Sequence, residues 1–255
     1  MIIDAHVHLY PSKGIEDNEE LIHQAELSGI DVICVSSLGW RWKYTPTMEE
    51  CRWANESVLR FMRMHPDRVL GWCYVNPREE GALEEVEQRI GEGMIGVKLW
   101  VACKANKPPV FKVVEKAIEL DVPILQHSWL KATGNLPNES TPYDVAELAR
   151  RYPDAKILMA HLGGDWEIGI KAVRPYENVL VDTSGNYPEM GMIEMAVKEL
   201  GAERVVFGSD APCRDFRVEV GKVMAAEIEP EERDLILGGN MLRLLGGRLK
   251  TIRSG

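Results

Sequence analysis

One feature constrains the fold more than any other: eight short apolar runs, each followed by turn residues and then a helical pattern. The runs fall at 2–9, 31–36, 69–75, 95–101, 122–127, 156–161, 179–182 and 204–207. They are rich in Val, Ile and Leu and apolar on both faces, as parallel strands covered on both sides are. Helical patterns occupy 18–27, 48–64, 79–90, 110–120, 143–151, 165–173, 189–200, 219–228 and 231–245. Leu83, Val86 and Ile90 make an i, i+3, i+7 stripe. Pro230 followed by Glu231 and Glu232 suits a helix start, and the last segment is expected in two pieces, broken near Gly238-Gly239. Eight such units in 255 residues, with no linker or low-complexity stretch, predict an α/β protein. The expected fold is a (β/α)8 TIM barrel, one domain over residues 1–255. A doubly wound open sheet often carries a Gly-rich phosphate loop after its first strand. Here the first strand ends in His6-Val7-His8 instead.

Composition narrows the function classes. Forty acidic against 30 basic residues give a net charge of −10. Such a chain lacks the basic face that nucleic acid requires. The 45% hydrophobic content excludes a disordered chain. No apolar run approaches the roughly 18 residues that span a bilayer, and the N-terminus lacks the basic and apolar regions of a signal peptide. Five cysteines (Cys34, Cys51, Cys73, Cys103, Cys213) without a Cys-x-x-Cys argue against a disulfide framework or a Cys-rich zinc site. The expected compartment is the cytoplasm, and the expected assembly, by frequency among soluble proteins, a homo-oligomer.

The histidines carry the chemistry. His6 and His8 are two apart on a strand, so both imidazoles project from one face, with Asp4 sharing their parity one pleat deeper. His127 ends the fifth run and His161 the sixth, leaving only His23 and His65 elsewhere. Four of six histidines therefore sit at strand C-termini, the end where barrel enzymes keep their active sites. The bland alternative, four unrelated hydrogen-bonded histidines, does not account for this convergence. Asp210 follows the eighth run at the same rim. It is placed to ligate a metal and move a proton, or to cap the next helix.

These residues resemble the amidohydrolase superfamily, in its amidohydrolase-2 branch of metal-dependent barrel enzymes. The resemblance runs the whole chain. It rests on Ile3-Asp4-Ala5-His6-Val7-His8, Gly96-Val97-Lys98-Leu99, His127, Ala160-His161-Leu162-Gly163-Gly164, Gly208-Ser209-Asp210-Ala211-Pro212 and Gly239-Asn240-Met241-Leu242-Arg243-Leu244-Leu245. The ordered set is specific, although each piece alone is not. The resemblance implies one divalent ion, zinc first, with manganese or another transition metal as alternatives. His6, His8 and Asp210 would bind it, with His127 as a further ligand. His161 would contact the substrate or attacking water, sharing catalysis with Asp210. Two-metal members bridge their ions with a carboxylated lysine from the fourth strand, where Lys98 lies. The preferred role for Lys98 is an uncarboxylated cation near the substrate, or one paired with a buried acid such as Asp4.

The rim loops suggest what binds. Trp100, Trp129 and Arg214 join Lys98 as candidate substrate contacts. Seven rim cations (Lys13, Arg41, Lys43, Lys104, Lys107, Lys131, Arg214) face four acids (Glu139, Asp165, Glu167, Asp215). A positive mouth on an acidic body would draw a small anionic substrate. The first functional expectation is a hydrolase of a small amide, ester or lactone, using activated water. The alternatives are a decarboxylase of a small aromatic or unsaturated acid, and a barrel that binds metal without catalysis.

Overall fold

A computed structural model describes residues 1–10, 18–185 and 187–246 of the chain. The eight apolar runs form strands β1 Ile3–His8, β2 Val32–Ser36, β3 Val69–Tyr74, β4 Gly96–Leu99, β5 Ile124–Gln126, β6 Ile157–Met159, β7 Val179–Asp182 and β8 Val205–Val206. Each pairs in parallel with the next, in sequence order. Residues beyond β8 close the sheet on β1. Ala5 N–H donates to Phe207 O (3.0 Å), Asp210 N–H to His6 O (2.7 Å) and His8 N–H to Ala211 O (2.7 Å). The result is the expected TIM barrel, and its closing seam holds Asp210 against His6 and His8.

The outer helices are α1 Glu19–Leu27, α2 Met48–Met64, α3 Ala82–Gly91, α4 Pro108–Glu119, α5 Pro142–Arg151, α6 Trp166–Val173, α7 Met192–Leu200, α8 Phe216–Met224, α9 Pro230–Asp234 and α10 Asn240–Leu245. Local chemistry sets their starts. Thr47 and Glu50 form a reciprocal capping box on α2, as Thr141 and Asp144 do on α5. Prolines open α4, α5 and α9, where a missing N–H costs nothing. The side chain of Asp215 caps α8, so that helix starts earlier than its apolar pattern and Asp210 is not its cap. The break expected near Gly238-Gly239 is absent. A π turn, Leu235–Gly239, joins α9 to α10 with helical dihedrals throughout. Gly238 instead permits close approach, since a Cβ there would lie 2.3 Å from Met1 O.

Two apolar layers hold the barrel. Val7, Val35, Val97, Ile124, Ile157 and Val181 pack between strands and helices. Ile3, Ala5, Cys34, Trp72, Leu125 and Val206 fill the interior. Trp72 forms the floor, donating from Nε1 to Ala5 O (3.0 Å). Gly96 makes room for it, because a Cβ there would meet the ring at 2.6 Å.

β1 departs from simple alternation. Its register on β2 shifts between Asp4 and Val7, a β-bulge with one extra residue in β1. Ile3 and Ala5 belong to the interior cluster below the bulge, and His6 and His8 meet above it. Asp4 therefore does not share their face. It pairs laterally with Ile33 of the outer layer, and its Oδ1 accepts from His6 N–H and Ser209 N–H (3.0 Å each).

Candidate metal centre

At the C-terminal mouth four imidazoles form a chain. Ring centroids lie 5.0 Å apart for His6–His8, His6–His161 and His127–His161. All four side chains are buried. His6 sits at the middle. Its Nδ1 faces Asp182 Oδ2 at 2.9 Å. Burial pushes the Asp182 carboxyl up, but the His6 imidazole more than offsets this and holds it well below the usual range. An ionised carboxylate only accepts, so Nδ1 carries the hydrogen and Nε2 is bare toward the mouth. Lys98 Nζ donates to that nitrogen at 2.7 Å. Burial lowers the Lys98 ammonium to about 8, with Asp210 and Asp182 acting the other way. Lys98 thus reaches His6, and the expected pairing with Asp4 does not form. Asp4 is pushed up to about 7 by burial, against the hydrogen bonds from Ser209 and His6.

His8 completes the group. Its Nε2 lies 3.2 Å from His6 Nε2 and 3.3 Å from Asp210 Oδ1, while its Nδ1 meets Ser36 Oγ at 2.8 Å. A hydroxyl can donate or accept, so His8 can turn its hydrogen to Ser36 and free Nε2 as a ligand. Burial lowers His8 to about 4. Asp210 is the most exposed of the group, with 15% of its side chain open to the mouth. Burial raises its carboxyl, but the His8 hydrogen bond and the surrounding imidazoles win and hold it far below the usual range. Ligand atoms of His6, His8 and Asp210 all lie within 4.8 Å of one another. Two buried imidazoles, one oriented by a carboxylate behind it, and an ionised carboxylate fit a divalent transition metal.

His127 and His161 stand beside this group. His161 Nδ1 meets Ser184 Oγ at 2.9 Å, and that hydroxyl donates to Asp182 Oδ1 at 2.5 Å. Burial holds His161 well below its ordinary value. His127 Nδ1 is 3.2 Å from His161 Nε2, and its Nε2 is 3.1 Å from Glu139 Oε1. Among the described residues, His161 joins a second metal-capable trio with His6 and Asp182, and His127 joins neither trio. His161 (φ 63°) and Asp210 (φ 62°) both hold the left-handed backbone conformation. Such strain in non-glycine residues concentrates at functional sites.

Sequence reasoning did not single out Asp182, Ser184, Gly185 or Ser36, and it took Glu139 for a rim charge. The period-two rule on Val179–Asp182 does place Asp182 inside the barrel at the mouth, which was the available signal. Gly185 (φ +80°) has no pattern to reveal it. A Cβ there would lie 2.3 Å from His161 Nδ1.

The rim residues divide. Trp129 packs on His161 (4.9 Å between centroids) and lines a cleft of about 530 Å³ with Lys131 and Trp166. Trp42 packs on His8 (6.0 Å) and lines a cleft of about 510 Å³ with Arg41, Lys43, Tyr44 and Trp100. Arg214 donates twice to Gly185 O (3.0 and 2.8 Å) and covers the Tyr187 ring. The positive mouth is weaker than the count of charges implies. Lys43 pairs with Glu50, Lys104 with Asp144 and Lys131 with Glu139, and Lys13 lies outside the described residues. Among the described residues no helix is long and apolar enough to cross a membrane.

The profile of the amidohydrolase family matches residues 3–247. The chain belongs to the amidohydrolase family. No curated protein matches the sequence. Solved structures do match this amidohydrolase fold. A 2,6-dihydroxybenzoate decarboxylase from Rhizobium superposes with a TM-score of 0.74 at 18% identity, over 96% of this chain and 98% of that one. A dihydroxybenzoic acid decarboxylase from Polaromonas sp. JS666, solved with manganese and the inhibitor 2-nitroresorcinol, gives 0.74 at 18%, over 96% of each chain. The 4-oxalomesaconate hydratase of Rhodopseudomonas palustris gives 0.72 at 18%, over 98% and 96%.

Proposed function

We propose that the protein is a metal-dependent lyase that removes CO2 from a small aromatic or unsaturated carboxylic acid. The observation that supports this best is the placing of the imidazole–carboxylate group between two aromatic walls, Trp42 on His8 and Trp129 on His161. Such walls suit a flat ring. The fold likeness to decarboxylases of dihydroxybenzoates adds to it. His6, His8 and Asp210 would hold the ion, with His127 as the further ligand. Manganese, bound by two of the similar structures, and zinc both suit this donor set. The ion would supply positive charge for the acid's carboxylate and a neighbouring oxygen. The His6 lone pair that Lys98 engages here would then serve the ion, and the Lys98 ammonium would be left to meet an anionic substrate. Asp210 is ionised at neutral pH. It would take a proton from the substrate's hydroxyl or from water and pass it to the carbon that CO2 leaves.

Hydrolysis of an amide, ester or lactone is the second reading. It is favoured by Asp210, an ionised carboxylate at the mouth that can take a proton from water. The test loads the protein with manganese or zinc. It then compares CO2 release from hydroxybenzoates and unsaturated diacids with turnover of esters and lactones. CO2 release that EDTA abolishes is the expected result. Ester or lactone turnover without CO2 release would overturn the lyase reading in favour of hydrolysis.

A further inference from the structure

Glu139 lies in the segment between β5 and α5 and is almost fully buried, 2% exposed. Its carboxylate receives five contacts, four of them besides His127. Lys131 Nζ reaches both oxygens (2.8 and 2.7 Å), Asn135 Nδ2 approaches Oε2 at 3.2 Å and Leu136 N–H at 3.0 Å. The fifth contact on the carboxylate is His127 Nε2 on Oε1 at 3.1 Å; with the two Lys131 contacts, these are the five. A carboxylate so surrounded by donors carries no hydrogen of its own, and only accepts. Every contact to it must therefore come with the partner's hydrogen. That includes His127 Nε2.

We propose that Glu139 is a positioning residue: it fixes His127 as the Nε2–H tautomer, so that the bare Nδ1 faces the metal centre. Two ring nitrogens of one imidazole cannot both be bare or both be protonated in the neutral form. Tying the hydrogen to Glu139 therefore decides which atom His127 offers inward. The decision matters because Nδ1 is the nitrogen that faces His161 Nε2 at 3.2 Å. Ser184 accepts from His161 Nδ1, since its own hydrogen goes to Asp182, so His161 Nε2 is bare and competes for the His127 hydrogen; the Glu139 carboxylate, a charged acceptor, is the stronger of the two. The segment is arranged for the task. Lys131 and Asn135 come from the same loop as Glu139, and Asn135 also donates to Trp129 O, which ties the carboxylate to the aromatic wall. Buried carboxylates behind metal-binding imidazoles typically contribute 10–100-fold in metal affinity or activity. The inference rests on reading the centre as a metal site, and on no particular reaction.

The test uses the full-length protein, 15N-labelled at histidine, stripped of metal. Long-range 1H–15N correlations distinguish protonated from bare ring nitrogens. Wild type should show His127 as Nε2–H. Glu139→Ala should lose that preference, and Mn2+ titration should show affinity reduced about 10–100-fold. Glu139→Gln keeps the shape but can donate as well as accept. It should fold like wild type while giving mixed His127 tautomers, and it decides the matter if the alanine variant does not fold. His127 remaining Nε2–H in the glutamine variant, with unchanged Mn2+ affinity, would overturn the proposal. Because neither readout needs a substrate, failure of the lyase assay leaves this result standing. Absence of Mn2+ binding in wild type would instead remove the metal reading itself.

Discussion

Gly185→Ala tests how tightly the β7 loop and the His161 ring are fitted. Two costs are expected. Gly185 has φ +80°, and a left-handed backbone costs a residue with a Cβ about 1–2 kcal/mol. The added methyl would also sit 2.3 Å from His161 Nδ1. The ring cannot simply swing away, being held by Ser184 and packed on Trp129. Overpacking of this kind costs about 1–3 kcal/mol. The two sum to about 2–5 kcal/mol, or a fall in Tm of about 4–20 °C for a chain of this size. A double-mutant cycle separates them. In a His161→Ala background the clash has no partner, so Gly185→Ala should cost only the backbone strain, and the coupling should be about 1–3 kcal/mol. Gly134→Ala serves as control, since Gly134 has φ +94° and open space around its Cβ. It should cost the strain alone. Urea or thermal unfolding measures all four variants. Coupling below about 0.5 kcal/mol, within the scatter of independent sites, would refute the fitted-ring account.

Three further outcomes are expected. Stripping the protein with EDTA should lower Tm, and Mn2+ at 100 times its Kd should restore about 2.7 kcal/mol, read by calorimetry; an unchanged Tm would count against a metal centre. Asp210→Asn should retain part of the metal while turnover falls about 10²–10⁴-fold, whereas His6→Ala should lose metal and activity together, as measured by metal analysis and the CO2 assay. Glu219, buried in α8 beside Lys222, is raised to about 6 by burial despite that ion pair. Its folded pKa lies above its unfolded value, so its contribution is greatest below about pH 4.5 and is lost as pH rises through 6. The stability of wild type relative to Glu219→Gln, from urea midpoints, should therefore rise as pH falls from 7 to 4.5.

The barrel was legible because its signal is repeated eight times. Each strand is short, apolar on both faces and followed by a helix, and no single misplaced boundary alters the count. The helix ends were read less well, because they depend on single side chains. Asp215, not the apolar pattern, starts α8, and Gly238 packs against Met1 O rather than ending a helix. The bulge in β1 was invisible for a similar reason. Counting by twos put Asp4 with His6 and His8, yet one inserted residue moves Asp4 to the other face and leaves the two histidines converging.

The candidate site divides along the same line. His6, His8, His127, His161 and Asp210 were legible because each residue type is chemically conspicuous and each ends a strand at one rim. What orients them was not, because Asp182, Ser36, Ser184 and Glu139 are ordinary residues until the fold sets them behind an imidazole. Yet these groups decide the chemistry. Asp182 makes His6 Nε2 the bare nitrogen. Ser36 lets His8 carry its hydrogen on either side. Ser184 passes its own hydrogen to Asp182 and so takes one from His161. The first of these contacts explains why Lys98, expected beside Asp4, donates to His6 instead. Once Asp182 fixes the outer hydrogen of His6, its inner lone pair is what a buried ammonium in the barrel interior can reach.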